Sequence, residues 1–276
     1  MTLVANHRVK GGGWSRVTAW LARLVRAPRP FARRARRWTL LQIAGGIVLA
    51  LITLALVAVL SDAAAIVAAR RLPQWLVNVF YAITDFGKSG WFLLPLGFLL
   101  LAIAAATPVL HRRAGLLLGA VAVRGMFLFA AIAVPGIVSN LLKILFGRAR
   151  PYVGGVADPY LFDPLIWRAA YASLPSGHAT TALSVVVAFG ALWPRSRIVL
   201  WTYALVIMAS RIVITAHHPS DVIAGALIGG FGALLVRDYF ALRRLGFTLN
   251  SDGGVRAMPG PSWRRIKRVA LHPFAQ

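Results

Sequence analysis

Three short clusters of polar residues in this chain have the composition of a site for a doubly charged anion. The first cluster runs from Lys143 to Pro151 and holds Lys143 and Arg150, seven positions apart. Seven residues make two helical turns, so both cations point the same way if the helix continues. Two cations on one face bind a phosphate-like group strongly. Arg148 lies off that face, and we interpret it as a contact with lipid headgroups.

The second cluster is Pro-Ser-Gly-His at 175–178, directly before an apolar stretch. This order predicts a turn that leads into a helix N-terminus, where backbone N–H groups and the Ser176 hydroxyl can surround anionic oxygens. Gly177 permits a close approach of the anion, and His178 would stand beside it. Taken alone, the cluster is equally typical of a capping turn with an interfacial histidine.

The third cluster joins Ser210 and Arg211 to a run from His217 to Asp221. Arg211 falls inside an apolar segment, where a cation needs a polar partner. His217 and Asp221 are four residues apart, so on a helical turn the carboxylate can accept a hydrogen bond from an imidazole N–H. The other ring nitrogen is then free as nucleophile or base. The neighbouring His218 is assigned no role.

A metal site is the alternative interpretation of the third cluster. The chain contains no Glu and no Cys, and the neighbouring Arg and Lys side chains would repel a metal cation. We therefore predict a cationic pocket with two imidazoles and neither metal nor cofactor. Such a pocket suits phosphoryl transfer: the cations stabilise the equatorial oxygens, one histidine attacks phosphorus, and the other protonates the departing oxygen.

The elements that must position these clusters are membrane helices. Of 276 residues, 59% are hydrophobic and only 14% are charged, more apolar than an ordinary soluble domain. A span needs about 20 apolar residues. The sequence accordingly predicts an all-α, polytopic membrane protein, a bundle of six helices with its active site at the outer membrane surface. The predicted spans are 40–60, 91–110, 125–146, 178–193, 198–216 and 222–236.

The distribution of cations predicts the orientation. The chain has 31 Lys and Arg against seven acids, and most of these cations fall on one side if both termini are cytoplasmic. The sequence thus divides into a basic cytoplasmic arm at 1–38, a membrane domain at 39–237 and a basic cytoplasmic tail at 238–276. We interpret arm and tail as topology determinants that contact anionic lipids, rather than nucleic acid. The Ala and Arg richness suggests a bacterium, so the site would face the periplasm or exterior from the inner membrane.

The three clusters resemble the signatures of the type-2 phosphatidic acid phosphatase family, whose superfamily includes bacterial acid phosphatases and vanadium haloperoxidases. Those signatures are Lys, six residues, Arg-Pro; Pro-Ser-Gly-His; and Ser-Arg, five residues, His, three residues, Asp. All three are complete and in order, at Lys143–Pro151, 175–178 and Ser210–Asp221. The resemblance spans about residues 40–237.

This resemblance implies a role for each matching residue. His217 would be the nucleophile that forms a phosphohistidine, Asp221 would orient it, and His178 would act as general acid and later activate water. The phosphate would be bound by Lys143, Arg150, Ser176, Gly177 and Arg211. The resemblance, not the spacing, says which histidine attacks.

The leading hypothesis is therefore a metal-independent phosphatase of membrane lipid phosphates or pyrophosphates. The family's substrates include undecaprenyl pyrophosphate, phosphatidylglycerol phosphate, phosphatidic acid and the phosphates of lipid A, and the sequence does not choose among them. A lipid phosphotransferase using the same phosphohistidine remains an alternative. A transporter of anionic lipids fits less well, because the ionisable residues cluster at one membrane surface rather than at the midplane. The sequence leaves open the oligomeric state and the preference for acyl or prenyl chains of the lipid.

Overall fold

The computed structural model describes residues 39–108, 112–250 and 253–262, and a few isolated residues in the two terminal regions: Thr18, Ala22, Leu24, Val25, Ala27, Arg264, Ile266 and Lys267. The basic arm predicted at 1–38 and the end of the predicted tail lie almost entirely outside the described residues. The described chain forms eight α-helices and one small hairpin. In order these are α1 (Leu40–Val57), α2 (Ala63–Ala69), α3 (Gln74–Thr84), α4 (Gly90–Ala106), α5 (Arg112–Phe146), α6 (Gly177–Leu192), α7 (Arg197–Val213), α8 (Pro219–Leu242), β1 (Phe247–Leu249) and β2 (Val255–Ala257).

Local sequence explains where several helices begin and end. Thr39 caps α1 through a reciprocal pair of hydrogen bonds with Gln42, which satisfies two free backbone donors. Pro219 opens α8, where its missing N–H costs nothing. Gly147 ends α5 with a φ of +55°, a left-handed conformation that glycine adopts without strain. A side chain there would also collide with the backbone of Asp163.

Helix α6 forms the centre of the bundle. Ten of its 16 residues are buried, and it packs against α5, α7 and α8. Its tightest contact is with α8, where a Cβ atom at Gly225 would strike the carbonyl of Ser176 and one at Gly229 would strike the carbonyl of Thr180. Small residues thus let the two backbones touch, and this contact joins the first turn of α6 to the first turns of α8.

The all-α membrane architecture is confirmed in outline, although the number of spans is not. Among the described residues, five helical segments are long and apolar enough to cross a bilayer: Leu40–Ala69, Gln74–Ala106, Arg113–Phe146, Pro194–Val213 and Pro219–Leu242. Helix α6, the fourth predicted span, is apolar but has only 16 residues. Because protein surrounds α6, it needs less lipid-facing surface than its neighbours. The count of six spans therefore stays a prediction.

The first membrane segment continues beyond its predicted end. The predicted span ends at Leu60, but the chain passes through a π-helical turn at Ala58–Asp62 and continues as α2. Asp62 consequently lies inside a helical segment and is fully buried.

The end of the bundle opposite the polar clusters has an aromatic core that extends past residue 237. The ring of Phe127 on α5 lies 5.6 Å from that of Phe240 on α8 and 4.7 Å from that of Phe247 on β1. Arg124 donates to the carbonyl of Met258, just after the hairpin. The packed part of the chain therefore includes the first residues of the predicted tail.

Candidate active site

All eight predicted site residues lie at one end of the helix bundle. The chain reverses direction between successive spans, so helix ends from distant parts of the sequence meet there. Lys143 is in the last turn of α5 and Arg211 in the last turn of α7, while His178 and Asp221 are in the first turns of α6 and α8. Gly177 begins α6, and the adjoining connections supply Arg150, Ser176 and His217.

Three cations surround this end of the bundle, and they are close enough for Lys143 to interact electrostatically with Arg150 and Arg211. The ammonium of Lys143 packs on Gly177, where an added Cβ would lie 3.0 Å from Nζ. The Arg150 guanidinium is anchored through Nε to the carbonyl of Ala169 at 3.0 Å. Burial lowers the pKa of Arg150, an effect that Asp221 partly offsets. Like charges held together in this way favour a bound anion.

Two of the predicted phosphate-binding residues carry a buried polar atom that lacks a hydrogen-bond partner within the described part of the chain: Ser176 Oγ and Arg211 Nε. Arg211 is anchored through Nη1, which donates to Thr84 Oγ1 at 2.7 Å. Thr84 also receives a hydrogen bond from Ser210 Oγ at 2.9 Å. Buried donors without partners are costly, so these atoms are suited to ligand oxygens.

His178 stands at the open side of the site and is partly exposed. Its ring packs against Gly87, where an added Cβ would approach the imidazole Cδ2 to 2.7 Å. His217, Arg211 and Lys143 are all within electrostatic range of His178. An imidazole in this position can exchange protons with a group bound among the cations.

His217 is almost completely buried, with 2% of its surface exposed. Its Nδ1 atom lies 2.9 Å from the backbone carbonyl of Ser173. A carbonyl oxygen can only accept, so Nδ1 carries the proton and Nε2 keeps its lone pair. Burial lowers the pKa of His217 to about 4, although the nearby Asp221 carboxylate opposes this shift. The ring is therefore neutral near pH 7.

Asp221 supports His217 less directly than its spacing suggests. The nearer carboxylate oxygen, Oδ2, lies 3.9 Å from His217 Nδ1, too far for the hydrogen bond that the i, i+4 spacing predicts. Oδ2 instead accepts from Ser173 Oγ at 2.6 Å and from the backbone N–H of His218 at 2.9 Å. Ser173 thus joins the two residues, with its carbonyl on the imidazole and its hydroxyl on the carboxylate.

Arg148 is not a headgroup contact, contrary to the interpretation of its helical position. Only 3% of its surface is exposed, and its Nη1 atom donates to Asp221 Oδ1 at 2.6 Å. Its Nη2 atom donates to Asp62 Oδ2 at 2.7 Å. The helix ends at Phe146, so the facing rule for a continuous helix does not apply to residue 148.

His218, to which the sequence assigns no role, is also fully buried. Its Nδ1 atom lies 3.4 Å from Asp221 Oδ2, so it belongs to the surroundings of the carboxylate. The described residues contain no group of three or more His, Cys, Asp or Glu side chains placed to hold a metal ion. The arrangement provides cations for anionic oxygens, a neutral buried imidazole with a free lone pair, and a second imidazole at the open side.

Comparison with known proteins agrees with this chemistry. The family model of the PAP2 superfamily matches residues 124–244, which contain all three clusters. The chain is 35% identical over 189 residues to the lipid A 1-phosphatase of Rhizobium etli, covering 68% of this chain and 81% of that protein. It is 34% identical over 121 residues to the lipid A 4'-phosphatase of Bacteroides thetaiotaomicron, covering 41% of this chain and 51% of that protein.

Among solved structures, the chain is similar to a transmembrane PAP2-type phosphatidylglycerolphosphate phosphatase from Bacillus subtilis. The TM-score is 0.47 at 19% sequence identity, over 82% of this chain and 96% of that one.

Proposed function

The chain belongs to the PAP2 superfamily as a membrane lipid phosphatase, and we propose that it hydrolyses a phosphate group of lipid A. The chemistry rests chiefly on one observation: Ser176 Oγ and Arg211 Nε, which have no hydrogen-bond partner among the described residues, lie in the same site as a buried, neutral His217. The choice of lipid rests on the Rhizobium relative, most of whose length is matched. The Bacteroides relative carries a lipid A name as well.

In the first half-reaction, His217 Nε2 attacks phosphorus in line and the bond from phosphorus to the lipid oxygen breaks. His178 gives its proton to that oxygen, so the dephosphorylated lipid leaves as an alcohol. The cations Lys143, Arg150 and Arg211, with Ser176 Oγ, stabilise the three equatorial oxygens. His217 gains positive charge as the bond forms, and the adjoining Asp221 carboxylate stabilises that charge.

In the second half-reaction, His178 takes a proton from water, and the resulting hydroxide attacks the phosphohistidine. The P–N bond breaks, inorganic phosphate leaves, and His217 recovers its lone pair. Positively charged side chains supply the stabilisation that a divalent cation supplies in many phosphoryl-transfer enzymes, so the proposed reaction needs no metal. If an alcohol took the place of water, the same intermediate would support phosphotransfer.

We further propose that the protein lies in a bacterial inner membrane with both termini cytoplasmic, so that the site faces the periplasm. The basic residues at the opposite end of the bundle support this orientation. The division into arm at 1–38, membrane domain and tail at 238–276 remains part of the proposal. Reporter fusions in the loop at 152–174 test the orientation, because activity of a cytoplasm-specific reporter there would reverse it.

The function is tested by phosphate release from the detergent-purified protein in the presence of EDTA. The substrates are lipid A, undecaprenyl pyrophosphate, phosphatidylglycerol phosphate and phosphatidic acid, with His217→Ala as the inactive control. We expect release from lipid A to be fastest and to require His217. Faster release from another lipid would overturn the lipid A assignment, and loss of activity with EDTA would overturn the metal-free mechanism. Release only after addition of an alcohol acceptor would indicate a phosphotransferase.

A further inference from the structure

We propose that Asp62, a buried carboxylate in the first membrane segment, is a positioning residue for the phosphoryl-transfer step. In this proposal Asp62 acts through Arg148, which it holds against Asp221. The inference rests on the proposed function of the site, and it assigns Asp62 a part in the covalent step rather than in substrate binding.

The location of Asp62 is the first observation. It is fully buried within Leu40–Ala69, a segment of high mean hydropathy with no buried residue in its most apolar window. An ionisable residue in such a segment is expensive and is usually retained for a function. It ends the π-helical turn Ala58–Asp62, and π turns within α-helices are frequently found at functional sites.

The contacts of Asp62 lead directly to the site. Its Oδ2 atom accepts from Arg148 Nη2 at 2.7 Å and from Ser220 Oγ at 2.5 Å. Its Oδ1 atom accepts from the backbone N–H of Ser220 at 2.9 Å. Ser220 is the second residue of α8 and directly precedes Asp221. Asp62 therefore binds both the Arg148 guanidinium, which contacts Asp221, and the first turn of α8, which carries Asp221.

Arg148 is shared between the two carboxylates. Its Nη1 atom donates to Asp221 Oδ1 at 2.6 Å and to Ser220 Oγ at 2.7 Å, and Nε donates to the carbonyl of Pro159 at 2.9 Å. With two carboxylates and one guanidinium, this buried group can carry a net negative charge. That charge faces His217, which becomes positive when phosphorus bonds to Nε2.

Removal of the Asp62 charge would change this balance. Arg148 would then have Asp221 as its one remaining carboxylate partner among the described residues, and the pair would be neutral. The carboxylate would stabilise the positive imidazole less, so the covalent step would slow. Within the described part of the chain, the hydrogen bonds and ion pair of Asp62 are with Arg148 and Ser220. The three cations that bind the substrate phosphate in the proposed mechanism are not among these partners, so substrate affinity should change little.

The test compares Asp62→Asn with Ser61→Ala, a matched control in the same π turn. Within the part of the chain that the structure describes, the Ser61 hydroxyl bonds to the carbonyl of Val57 alone. We expect Asp62→Asn to lower kcat for lipid A about 10–100-fold, a loss of the size that follows removal of an outer-shell hydrogen-bond partner at a functional site. KM should stay within about twofold, and phosphohistidine should form more slowly in rapid quench. Ser61→Ala should match the wild type. Full kcat in Asp62→Asn would overturn the proposal.

A double-mutant cycle separates positioning from a merely structural role. If Asp62 acts through Arg148, Asp62→Asn combined with Arg148→Gln should have the kcat of Arg148→Gln alone, within about twofold. If the kcat loss of the double variant equals the product of the two single losses, Asp62 does not act through Arg148. If Asp62→Asn does not fold, Ser220→Ala should show a smaller kcat loss in the same direction. Unchanged kcat in Ser220→Ala would then count against the proposal.

A binding experiment keeps this inference separate from the choice of lipid. Vanadate adopts the five-coordinate geometry of phosphoryl transfer, whereas inorganic phosphate resembles the ground state. Asp62→Asn should weaken calorimetric vanadate binding about 10-fold or more and leave phosphate binding unchanged. This pattern would support the inference even if lipid A is not the substrate. Equal vanadate affinity in wild type and variant would overturn it, whichever lipid is hydrolysed.

Discussion

The backbone carbonyl of Ser173 accepts a hydrogen bond from Nδ1 of His217 at 2.9 Å. A main-chain group, rather than a carboxylate, therefore fixes which ring nitrogen carries the proton. The lone pair at Nε2 is available for attack whether or not Asp221 is charged. This arrangement separates two tasks, because Ser173 sets the tautomer and orientation while Asp221 supplies charge from a greater distance.

His217→Ala should abolish turnover, with a loss of about 10⁴-fold or more in kcat, because the proposed covalent bond forms at Nε2 of this residue. The measurement is phosphate release, together with a rapid-quench search for an acid-labile phosphoprotein. Neither should be detected in the variant. His218→Ala is the matched control, and we expect it to retain the phosphoprotein. Normal turnover by His217→Ala would exclude this nucleophile.

Asp221→Asn should slow formation of the phosphohistidine about 10²–10⁴-fold while substrate binding persists. The carbonyl of Ser173 holds the neutral His217 tautomer that carries its proton on Nδ1. The loss should therefore come from the missing carboxylate charge and not from a wrong tautomer. A measurement of kcat and KM for the variant separates these effects. An increase in KM at unchanged kcat would instead place Asp221 among the phosphate-binding groups.

Much of this architecture could be predicted from sequence, because apolar runs set helix positions and complete motifs mark site residues. The helices that carry Lys143, His178 and Arg211 lie where the apolar runs place them, and the motif residues meet at one end of the bundle. Asp62 and Ser173 could not be predicted in this way. Neither belongs to a local pattern, and each reaches the site only through tertiary packing with residues far along the chain.

Arg148 illustrates a different limit. The prediction of a headgroup contact extends α5 past its end at Phe146. Because the chain turns at Gly147, helical spacing no longer says which way residue 148 points. Composition offers one signal: Arg148 is an additional arginine between the motif cations Lys143 and Arg150. If such an arginine is buried, it must pair with one of the seven acids in the chain. Its burial between two of those acids follows from the fold and not from spacing.

The pH dependence of the covalent step should report the lowered pKa of His217. Burial lowers the pKa of His217 to about 4 from the ordinary 6.5, so the nucleophile stays neutral and reactive down to mildly acidic pH. We expect single-turnover formation of phosphohistidine to lose its His217-dependent component only as the pH falls through about 4. A midpoint near 6.5 for that component would show that the ring is not held neutral by burial.

Thr84→Val should weaken phosphate binding by loosening Arg211. The threonine hydroxyl accepts from Arg211 Nη1 at 2.7 Å in a buried position, and a hydrogen bond to a charged group contributes about 1.5–3 kcal/mol. We expect KM and the inhibition constant for inorganic phosphate to rise about tenfold, with a smaller change in kcat. Thr202→Val is the matched control, because that hydroxyl bonds within the exposed face of α7. Equal effects of the two substitutions would contradict a specific role for Thr84.

Gly225→Ala should damage both the fold and the site, since α8 meets α6 through the backbone at this point. The added methyl group would strike the carbonyl of Ser176, and a backbone group cannot rotate away as a side chain can. Overpacking of this kind costs about 1–3 kcal/mol, and relief by moving Ser176 would displace the hydroxyl proposed to bind phosphate. We expect a lower thermal unfolding midpoint in detergent and a higher KM. Gly46→Ala provides the control, because a Cβ there would have nothing within 4 Å. A wild-type midpoint and KM in Gly225→Ala would mean that the two helices can separate without disturbing the site.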